Sequence, residues 1–585
     1  MHPELLIDIL PHQLEEGSHE ICIAAKEEGA WRTYSTRQCA DIVEHVALGL
    51  LAQGILPGDK VAIIANNCPE WNFIDLGIMT AGAITVPIYP TLSEEHQVFI
   101  FNDAKVKIVF VENEELLAKV EKLKMRKPDL QHIFTLDKIP GARHWSEVTD
   151  AAQDSGKEEL KKRRQQMKPE GLATIIYTSG TTGNPKGVML NHNNIISNLI
   201  GVAEVLPFDR SHRALSFLPL CHSFERTVCF YYLYRGVSIY YAESLETIGD
   251  NLKEVKPHLF TAVPRLLEKV YEKIIKKGLE LKGVKRALFF WAVKLGLEYD
   301  DEGKNGGLYA FQLKLAQKII FSKWKEALGG EIEIIVTGAA ALQMRLARVF
   351  SAAGIGVREG YGLTESSPVI AVNRKNDFKL GTVGPVLPGV EVKILENGEI
   401  CARGPNIMMG YYNQPEITAE TIDSEGWLHT GDVGRMVDDK YLKITDRLKE
   451  IFKTSGGKYV APQPLESKIS ESFFIEQVMV IGENERFVAA LIIPDFTYLK
   501  DWCARNNVLC NSPEQMISSK AVKDKIQQEI DRYNSELGQT EKIKQFRLLP
   551  KPFSIDAGEL TPTMKLKRKV IMAIHAGLIE DIYKD

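Results

Sequence analysis

The chain lacks the cysteine pattern of a metal site or a disulfide framework. Its eight cysteines (Cys22, Cys39, Cys68, Cys221, Cys229, Cys401, Cys503 and Cys510) show no CxxC or CxxH spacing. That argues against zinc and fits a reducing compartment. A strong charge of one sign is also missing: the net charge is -5 at pH 7, so no global field draws the protein to nucleic acid. The segment Met1 to Gly17 carries acidic groups, where a secretory signal needs positive charge and then a long apolar run. Long hydrophobic runs are scarce. The longest uncharged stretch, Leu76 to Ser93, is broken by Gly77, Gly82, Pro87 and Pro90 and is followed by Glu94-Glu95. It reads as a buried helix running into a strand at Ala83 to Tyr89, not as a membrane span. These absences lead us to expect a soluble, cytoplasmic protein without an integral anchor.

What is present points to a folded, multidomain chain. At 585 residues it exceeds one ordinary core. Its 44% apolar and 25% charged content is globular. Strand-like segments at Asp59 to Asn66, Val106 to Val111 and Glu331 to Thr337 alternate with helical ones at Glu70 to Ala81 and Leu342 to Ala353. That is the α/β pattern of mostly parallel sheets flanked by helices. Short Gly/Pro-rich strands from Gly381 to Gly410 suggest a small β-rich subdomain. Beyond Gln477, strands at Val478 to Gly482 and Phe487 to Ile493, then a helical tail, predict a smaller second unit of mixed α and β structure.

The densest chemical signal is Tyr177-Thr178-Ser179-Gly180-Thr181-Thr182-Gly183-Asn184-Pro185-Lys186-Gly187, preceded by an apolar strand at Leu172 to Ile176. Glycines let backbone N–H groups approach an anion, hydroxyls add donors and lysine adds a mobile positive charge. A nucleotide triphosphate is the expected ligand. The run is not a P-loop. Lys186 stands between Pro185 and Gly187 instead of leading Ser/Thr into a helix, and Asn184-Pro185 favours a turn.

The run resembles the signature of the adenylate-forming enzymes: acyl-CoA synthetases, firefly luciferases and the adenylation domains of peptide synthetases. The resemblance continues through Tyr361-Gly362-Leu363-Thr364-Glu365, Gly426-Trp427-Leu428-His429-Thr430-Gly431-Asp432, Asp446-Arg447-Leu448-Lys449-Glu450 and Thr561-Pro562-Thr563-Met564-Lys565. These motifs stand in the family's order. The family carries a large N-terminal adenylation domain, here 1–445, and a mobile C-terminal domain, here 446–585, with a hinge near Lys449.

The resemblance implies residue roles. Thr178, Ser179, Gly180, Thr181, Thr182 and Gly183 would hold the outer phosphates, with Lys186 nearby. Glu365 would bind Mg2+, joined by Thr181, and Thr364 would contact the α-phosphate. Tyr361 and Gly362 would lie on one side of adenine and Gly338, Ala339 and Ala340 on the other. Asp432 would accept hydrogen bonds from the ribose hydroxyls, which a carboxylate does well, and Arg447 would approach from the hinge side. Lys565 would bridge the reacting carboxylate and α-phosphate; Lys567 or Lys569 would take that part if the register slips. His222, in Phe217 to Arg226, would face the acyl-adenylate. Gly456, Gly457 and Lys458 resemble the loop that meets coenzyme A once the small domain rotates.

A further stretch, 265–330, resembles the helical insertion of long-chain fatty acyl-CoA synthetases. From Lys269 to Arg286 it has seven basic and two acidic residues interleaved with apolar ones, followed by Ala287-Leu288-Phe289-Phe290-Trp291-Ala292-Val293. An amphipathic basic helix can lie on an anionic bilayer; the preferred reading is an insertion packed on the main domain with a solvated basic face. The expected function is a long-chain fatty acid–CoA ligase, an acid–thiol ligase using ATP, Mg2+ and coenzyme A. Two alternatives remain: a fatty acyl-AMP ligase serving a carrier protein, and a nonenzymatic lipid-binding scaffold at a membrane. A peripheral position on the inner face of a membrane and a homodimer are both left open.

Overall fold

The computed structural model describes every residue except Met1, 125–128, 179–183, Asn511, Asp556, 562–563 and Asp585. Two large sheets organise the first three quarters of the chain. One has seven strands in the order Gly410–Tyr411, Lys186–Asn191, Leu172–Thr178, Ile84–Pro87, Lys60–Ile64, Val106–Val111 and His132–Thr135. Its last five strands pair in parallel. The other has eight strands in the order Val369–Val372, Gly356–Gly362, Ile334–Thr337, Leu259–Ala262, Arg213–Ser216, Ser238–Tyr241, Ile23–Glu27 and Ala30–Tyr34, antiparallel only at its two ends. Strands such as Val106–Val111 and Leu259–Ala262 are near-continuous apolar runs, as expected where helices cover both faces of a sheet.

Local signals set the flanking helices. Helix Thr36–Ala52 starts at a capping box in which Ser35 and Gln38 satisfy each other's backbone N–H groups. Helices Pro69–Thr80 and Pro264–Glu280 begin with proline at the first helical position. Helix Ser223–Arg235 is buried along most of its length. Its Arg226 is clamped by both oxygens of Asp75 at 2.6 and 2.9 Å and donates to Thr174 Oγ1 at 2.7 Å. The pair ties that helix to helix Pro69–Thr80 and to strand Leu172–Thr178.

The β-rich subdomain is a five-stranded sheet, Gly384–Pro385, Tyr441–Arg447, Leu428–Val437, Glu399–Arg403 and Glu391–Ile394. The C-terminal unit departs from the expected helical tail. Strand Ile543–Leu548 returns and pairs in parallel with Val488–Pro494, which also pairs with Ile475–Ile481. Ile-Lys-Gln-Phe-Arg-Leu mixes apolar and polar residues and buries only Ile543 fully, a weaker signal than the all-apolar strand beside it.

The basic stretch is two helices, Pro264–Glu280 and Gly283–Leu297, followed by Gly306–Ala316, a π-helical turn Gln317–Phe321 and Ser322–Ala327. Phe289, Ala292, Val293, Phe321 and Trp324 are buried with Phe350 of the main domain in one core. The insertion is therefore packed. All eight cysteines are free, and no described helix is long and apolar enough to cross a membrane.

Candidate active site

The site gathers at the carboxyl ends of the central strands, where open α/β sheets leave a crevice. Strand Ile334–Thr337 delivers Gly338, which is buried, and then Ala339 and Ala340, which are exposed. Ala339 has φ +67°, a left-handed conformation that costs a side chain on the order of 1 kcal/mol. Strand Gly356–Gly362 delivers Tyr361 and Gly362. A Cβ on Gly362 would lie 1.7 Å from the Pro368 carbonyl oxygen, so only glycine fits there. A short 3-10 turn, Thr364–Ser366, follows. Thr364 is buried, and its hydroxyl meets Ser223 Oγ at 3.0 Å.

Asp432 is the buried centre of the site. Tyr361 Oη donates to its Oδ2 at 2.8 Å, and Arg447 Nε lies 3.1 Å from its Oδ1. The two residues face each other because Asp432 and Arg447 are register partners on neighbouring strands. Burial raises the Asp432 pKa, against the opposing pull of Arg447 and of the Tyr361 bond. Burial also pushes Tyr361 well up, so its hydroxyl stays a donor.

Lys565 comes from the C-terminal unit. Its loop is pinned by the Leu560–Leu566 bridge and by hydrogen bonds with Thr561, from Thr561 N to Lys565 O at 2.9 Å and from Lys565 N to Thr561 Oγ1 at 3.0 Å. Its neighbour Met564 has φ +62°. Lys565 lines an open cleft: solvent reaches much of its area, yet protein crowds its charge. Desolvation, then the Arg447 guanidinium, lowers its pKa, against Asp432, Glu450 and Glu365. Of Lys565, Lys567 and Lys569, Lys565 is the one brought against this constellation.

His222 caps helix Ser223–Arg235: Phe224 N–H donates to its Nδ1 at 3.1 Å. That bond assigns the ring proton to Nε2. Burial, and secondarily the Lys565 charge, lowers the His222 pKa to about 4, so the ring is neutral at pH 7.

Lys186 begins strand Lys186–Asn191, so a strand, not a helix, follows the Gly/Thr-rich loop. Its ammonium lies 4.9 Å from the Tyr411 ring centroid, and Tyr411 Oη donates to Glu365 Oε1 at 2.9 Å. Thr178 ends the preceding strand. Ser179, Gly180, Thr181, Thr182 and Gly183 lie outside the described residues. Gly456, Gly457 and Lys458 are not brought to the site. They sit exposed in the turn between Phe452–Lys453 and Tyr459–Val460. Lys449 is exposed in the turn after strand Tyr441–Arg447.

Three residues escaped the sequence reading. Tyr411 follows Gly410 in an ordinary-looking loop, and its partner Glu365 is 46 residues away. Arg568 hid in the basic cluster, but its guanidinium binds both Glu466 oxygens at 2.6 Å and Glu450 at 3.3 Å, fastening the Lys565 loop to the turn that holds Lys449. Tyr89 stands edge-on to His222 at 6.4 Å, and its buried hydroxyl has no hydrogen-bond partner among the described residues. Only its place after the Ile84–Pro87 strand could have flagged it.

Comparison with known proteins follows the same outline. Residues 11–412 match the AMP-binding enzyme family, and residues 449–585 match the AMP-binding enzyme C-terminal domain. The chain belongs to the AMP-binding enzyme family. Within that family it is similar to the long-chain-fatty-acid–CoA ligases. It is 33% identical over 562 residues to FadD15 of Mycobacterium bovis, covering 95% of this chain and 93% of that one. It is 34% identical to human long-chain-fatty-acid–CoA ligase 1, covering 94% and 82%. Among solved structures, the adenylation domain of a carboxylate reductase from Mycobacterium chelonae superposes with TM-score 0.75 at 22% identity, over 99% and 91% of the two chains. ATP-bound MatB from Rhodopseudomonas palustris gives 0.72 at 21%, over the whole of both chains. At those identities the two structures bear on the fold alone.

Proposed function

We propose that the protein is an AMP-forming long-chain fatty acid–CoA ligase. Fatty acid and ATP give acyl-AMP and pyrophosphate; acyl-AMP and coenzyme A then give acyl-CoA and AMP. The observation that carries the reading is the buried Asp432 carboxylate, held by Tyr361 Oη at 2.8 Å and Arg447 Nε at 3.1 Å, with the Lys565 charge acting on the same group. The named ligases that match the chain nearly end to end support the substrate class.

In the first step a carboxylate oxygen bonds to the α-phosphorus, and the bond from that phosphorus to pyrophosphate breaks. Both reactants are anions, so the site must offset their repulsion and the charge growing on the α-phosphate. The Lys565 ammonium is a mobile point charge suited to bridge them, and Thr364 adds a hydroxyl. Asp432 accepts from the ribose hydroxyls while Arg447 and Tyr361 hold its carboxylate in place. Tyr361 and Gly362 flank adenine opposite Gly338, Ala339 and Ala340. Thr178 and Lys186 reach the outer phosphates together with the adjoining loop. Neutral His222 offers an N–H donor without adding charge.

The donor set fits Mg2+. Glu365 presents hard carboxylate oxygens, Oε1 held by Tyr411 and Oε2 without a partner among the described residues. Glu365 would hold the ion, with Thr181 the second expected ligand, and the bound ion would neutralise phosphate charge. For the second step the small domain, 446–585, would turn about Lys449 and carry Gly456, Gly457 and Lys458 to coenzyme A. An apolar tail contributes about 0.8 kcal/mol per buried methylene, which favours long chains.

The test is pyrophosphate release with Mg-ATP and fatty acids from acetate to long chains, with and without coenzyme A, with thioester followed by mass spectrometry. Thioester formed preferentially from long chains is the expected result. Adenylate without thioester points to a carrier-dependent ligase, and no release with any acid overturns the enzyme reading.

A further inference from the structure

The motif Gly426 to Asp432 supplies Asp432 to the proposed chemistry, which gives its histidine, His429, no task. The neighbours of His429 suggest one. Among the described residues, one group of histidine, cysteine and carboxylate side chains brings its ligand atoms within 4.8 Å of one another: Glu399, Cys401 and His429. The backbone sets the group. Glu399 and Cys401 stand two apart on strand Glu399–Arg403. Cys401 and His429 are register partners across to strand Leu428–Val437. The three therefore share one face of the sheet. Ligands drawn from two strands follow no CxxC or CxxH spacing, so the sequence does not announce them.

The distances fit one ion. Cys401 Sγ lies 3.6 Å from His429 Nδ1, and Glu399 Oε2 lies 3.2 Å from the same nitrogen. Zinc bonds run about 2.3 Å to sulfur and about 2.1 Å to nitrogen or oxygen. At tetrahedral angles they place S and N about 3.6 Å apart, and N and O about 3.4 Å apart. The surrounding bonds aim the ligand atoms inward. Glu399 Oε1 accepts from the Gly431 N–H at 3.1 Å, which turns Oε2 to His429. Asp423 Oδ1 accepts from the N–H groups of Glu425 and Trp427, each at 2.9 Å, and its Oδ2 lies 3.7 Å from His429 Nε2. A carboxylate behind the far nitrogen commonly supports a metal-bound imidazole. Lys393 opposes a cation here, but it lies 3.8 Å from Asp423 and over the Trp427 ring at 4.3 Å, so Asp423 offsets its charge. A hydrogen bond between Glu399 and His429 would account for those two side chains. It would not account for a buried thiol at ligand distance from the same nitrogen.

We propose that Glu399 Oε2, Cys401 Sγ and His429 Nδ1 form a binding site for Zn2+, with Asp423 holding the imidazole from behind and water in the fourth position. Mixed S, N and O ligands suit this borderline-soft ion and do not suit Mg2+, which takes hard oxygens. The thiol proton passes to solvent on binding. The His429 side chain is 32% exposed, which gives the ion a way in. Because Glu399 also holds Gly431, the residue before Asp432, an occupied site would brace the strand that carries Asp432. The proposal rests on these side chains, not on the ligase reading, and its readout is independent of activity.

The test is titration of the metal-free full chain with Co2+, a spectroscopic stand-in for Zn2+. One Co2+ per chain is expected, with a thiolate-to-cobalt charge-transfer band and the intense visible bands of four-coordination. Stoichiometric Zn2+ should remove these bands, and excess Mg2+ should leave them. Cys401→Ser should abolish the charge-transfer band. Asp423→Asn should weaken Zn2+ binding by about tenfold or more, and His429→Gln by more still. Asp423 and His429 are partly exposed, so their variants keep the test decisive if Cys401→Ser folds poorly; circular dichroism of the metal-free proteins checks the fold. Absence of Co2+ and Zn2+ binding at micromolar ion overturns the proposal. An unchanged cobalt spectrum in both Cys401→Ser and His429→Gln assigns the ion to other side chains and overturns it as well.

Discussion

At the residue scale the site works by gathering a few charges close together, in a place that solvent still reaches. Lys565 makes the strongest case. Crowding and Arg447 both disfavour its charged form, so in the free enzyme it loses its proton below the ordinary lysine value of 10.5. The bridging role proposed for Lys565 requires the charged form. The basic limb of kcat/KM for ATP should therefore fall below pH 10.5, as the free enzyme's ionisation dictates. Lys565→Arg should displace that limb upward, and an identical limb in both enzymes would assign it elsewhere. Lys565→Ala should slow adenylation by about 100-fold or more while ATP still binds by titration calorimetry. Tyr411 belongs to the same scale. In Tyr411→Phe the Glu365 carboxylate loses its donor, and KM for Mg-ATP should rise by about tenfold, the worth of one charge-assisted hydrogen bond, with the acyl-chain preference unchanged. An unaltered KM would reduce Tyr411 to packing.

At the element scale, helix Ser223–Arg235 decides where His222 and Ser223 sit. Arg226 and Asp75 are 2% and 1% exposed, so removing one partner leaves a buried charge unmatched. Asp75→Ala should cost roughly 3–5 kcal/mol, read as a lower denaturation midpoint. One residue earlier, Glu225 is fully buried, accepts hydrogen bonds from Ser216 and Thr261, and has its pKa raised by burial to about 7 from 4.5. The folded chain thus holds this proton more tightly than the unfolded chain. Between pH 4.5 and 7 the unfolded state ionises first, so stability falls as pH rises, by roughly 3 kcal/mol at most. Glu225→Gln should flatten stability over that window; a slope equal to that of the wild type would place the titration on another group.

Legibility divides along the same line. Val106–Val111 and the strand before the phosphate loop were readable because a fully buried parallel strand is nearly all apolar. Ile543–Leu548 was not, because its mix of apolar and polar residues has no clear period and its partner lies some fifty residues earlier. The motif residues Tyr361, Asp432 and Lys565 could be named from sequence, but their bonds could not. Tyr361 to Asp432 spans 71 residues, and Arg568 to Glu466 spans 102, beyond what local periodicity encodes.

At the scale of the whole molecule, the cycle proposed above asks for two arrangements of the small domain. Here the Lys565 charge lies near enough to Asp432 to oppose the rise of its pKa, while Gly456, Gly457 and Lys458 are exposed in a turn. The C-terminal unit is held in this pose by light contacts: Gln343 Nε2 to the Ser470 carbonyl at 3.3 Å, Arg265 to Glu476 at 3.6 Å, and Arg345 over the Phe473 ring at 5.4 Å. Partly exposed pairs of this kind contribute about 0–1 kcal/mol each, little enough for the pose to be left. Rotation would have to be absorbed by backbone dihedrals in the turn after Arg447, since Arg568 ties Glu450 to the moving unit. Proline at Lys449 fixes φ near -65° and removes that freedom without touching any group of the first step. Lys449→Pro should therefore leave pyrophosphate release from ATP and fatty acid within about twofold of wild type, while transfer of pre-formed acyl-AMP to coenzyme A falls by about tenfold or more. Measuring the two half-reactions separately distinguishes the outcomes. Equal losses in both would mean that the substitution disturbs the site, and no loss in either would mean that the domain turns about some other residue.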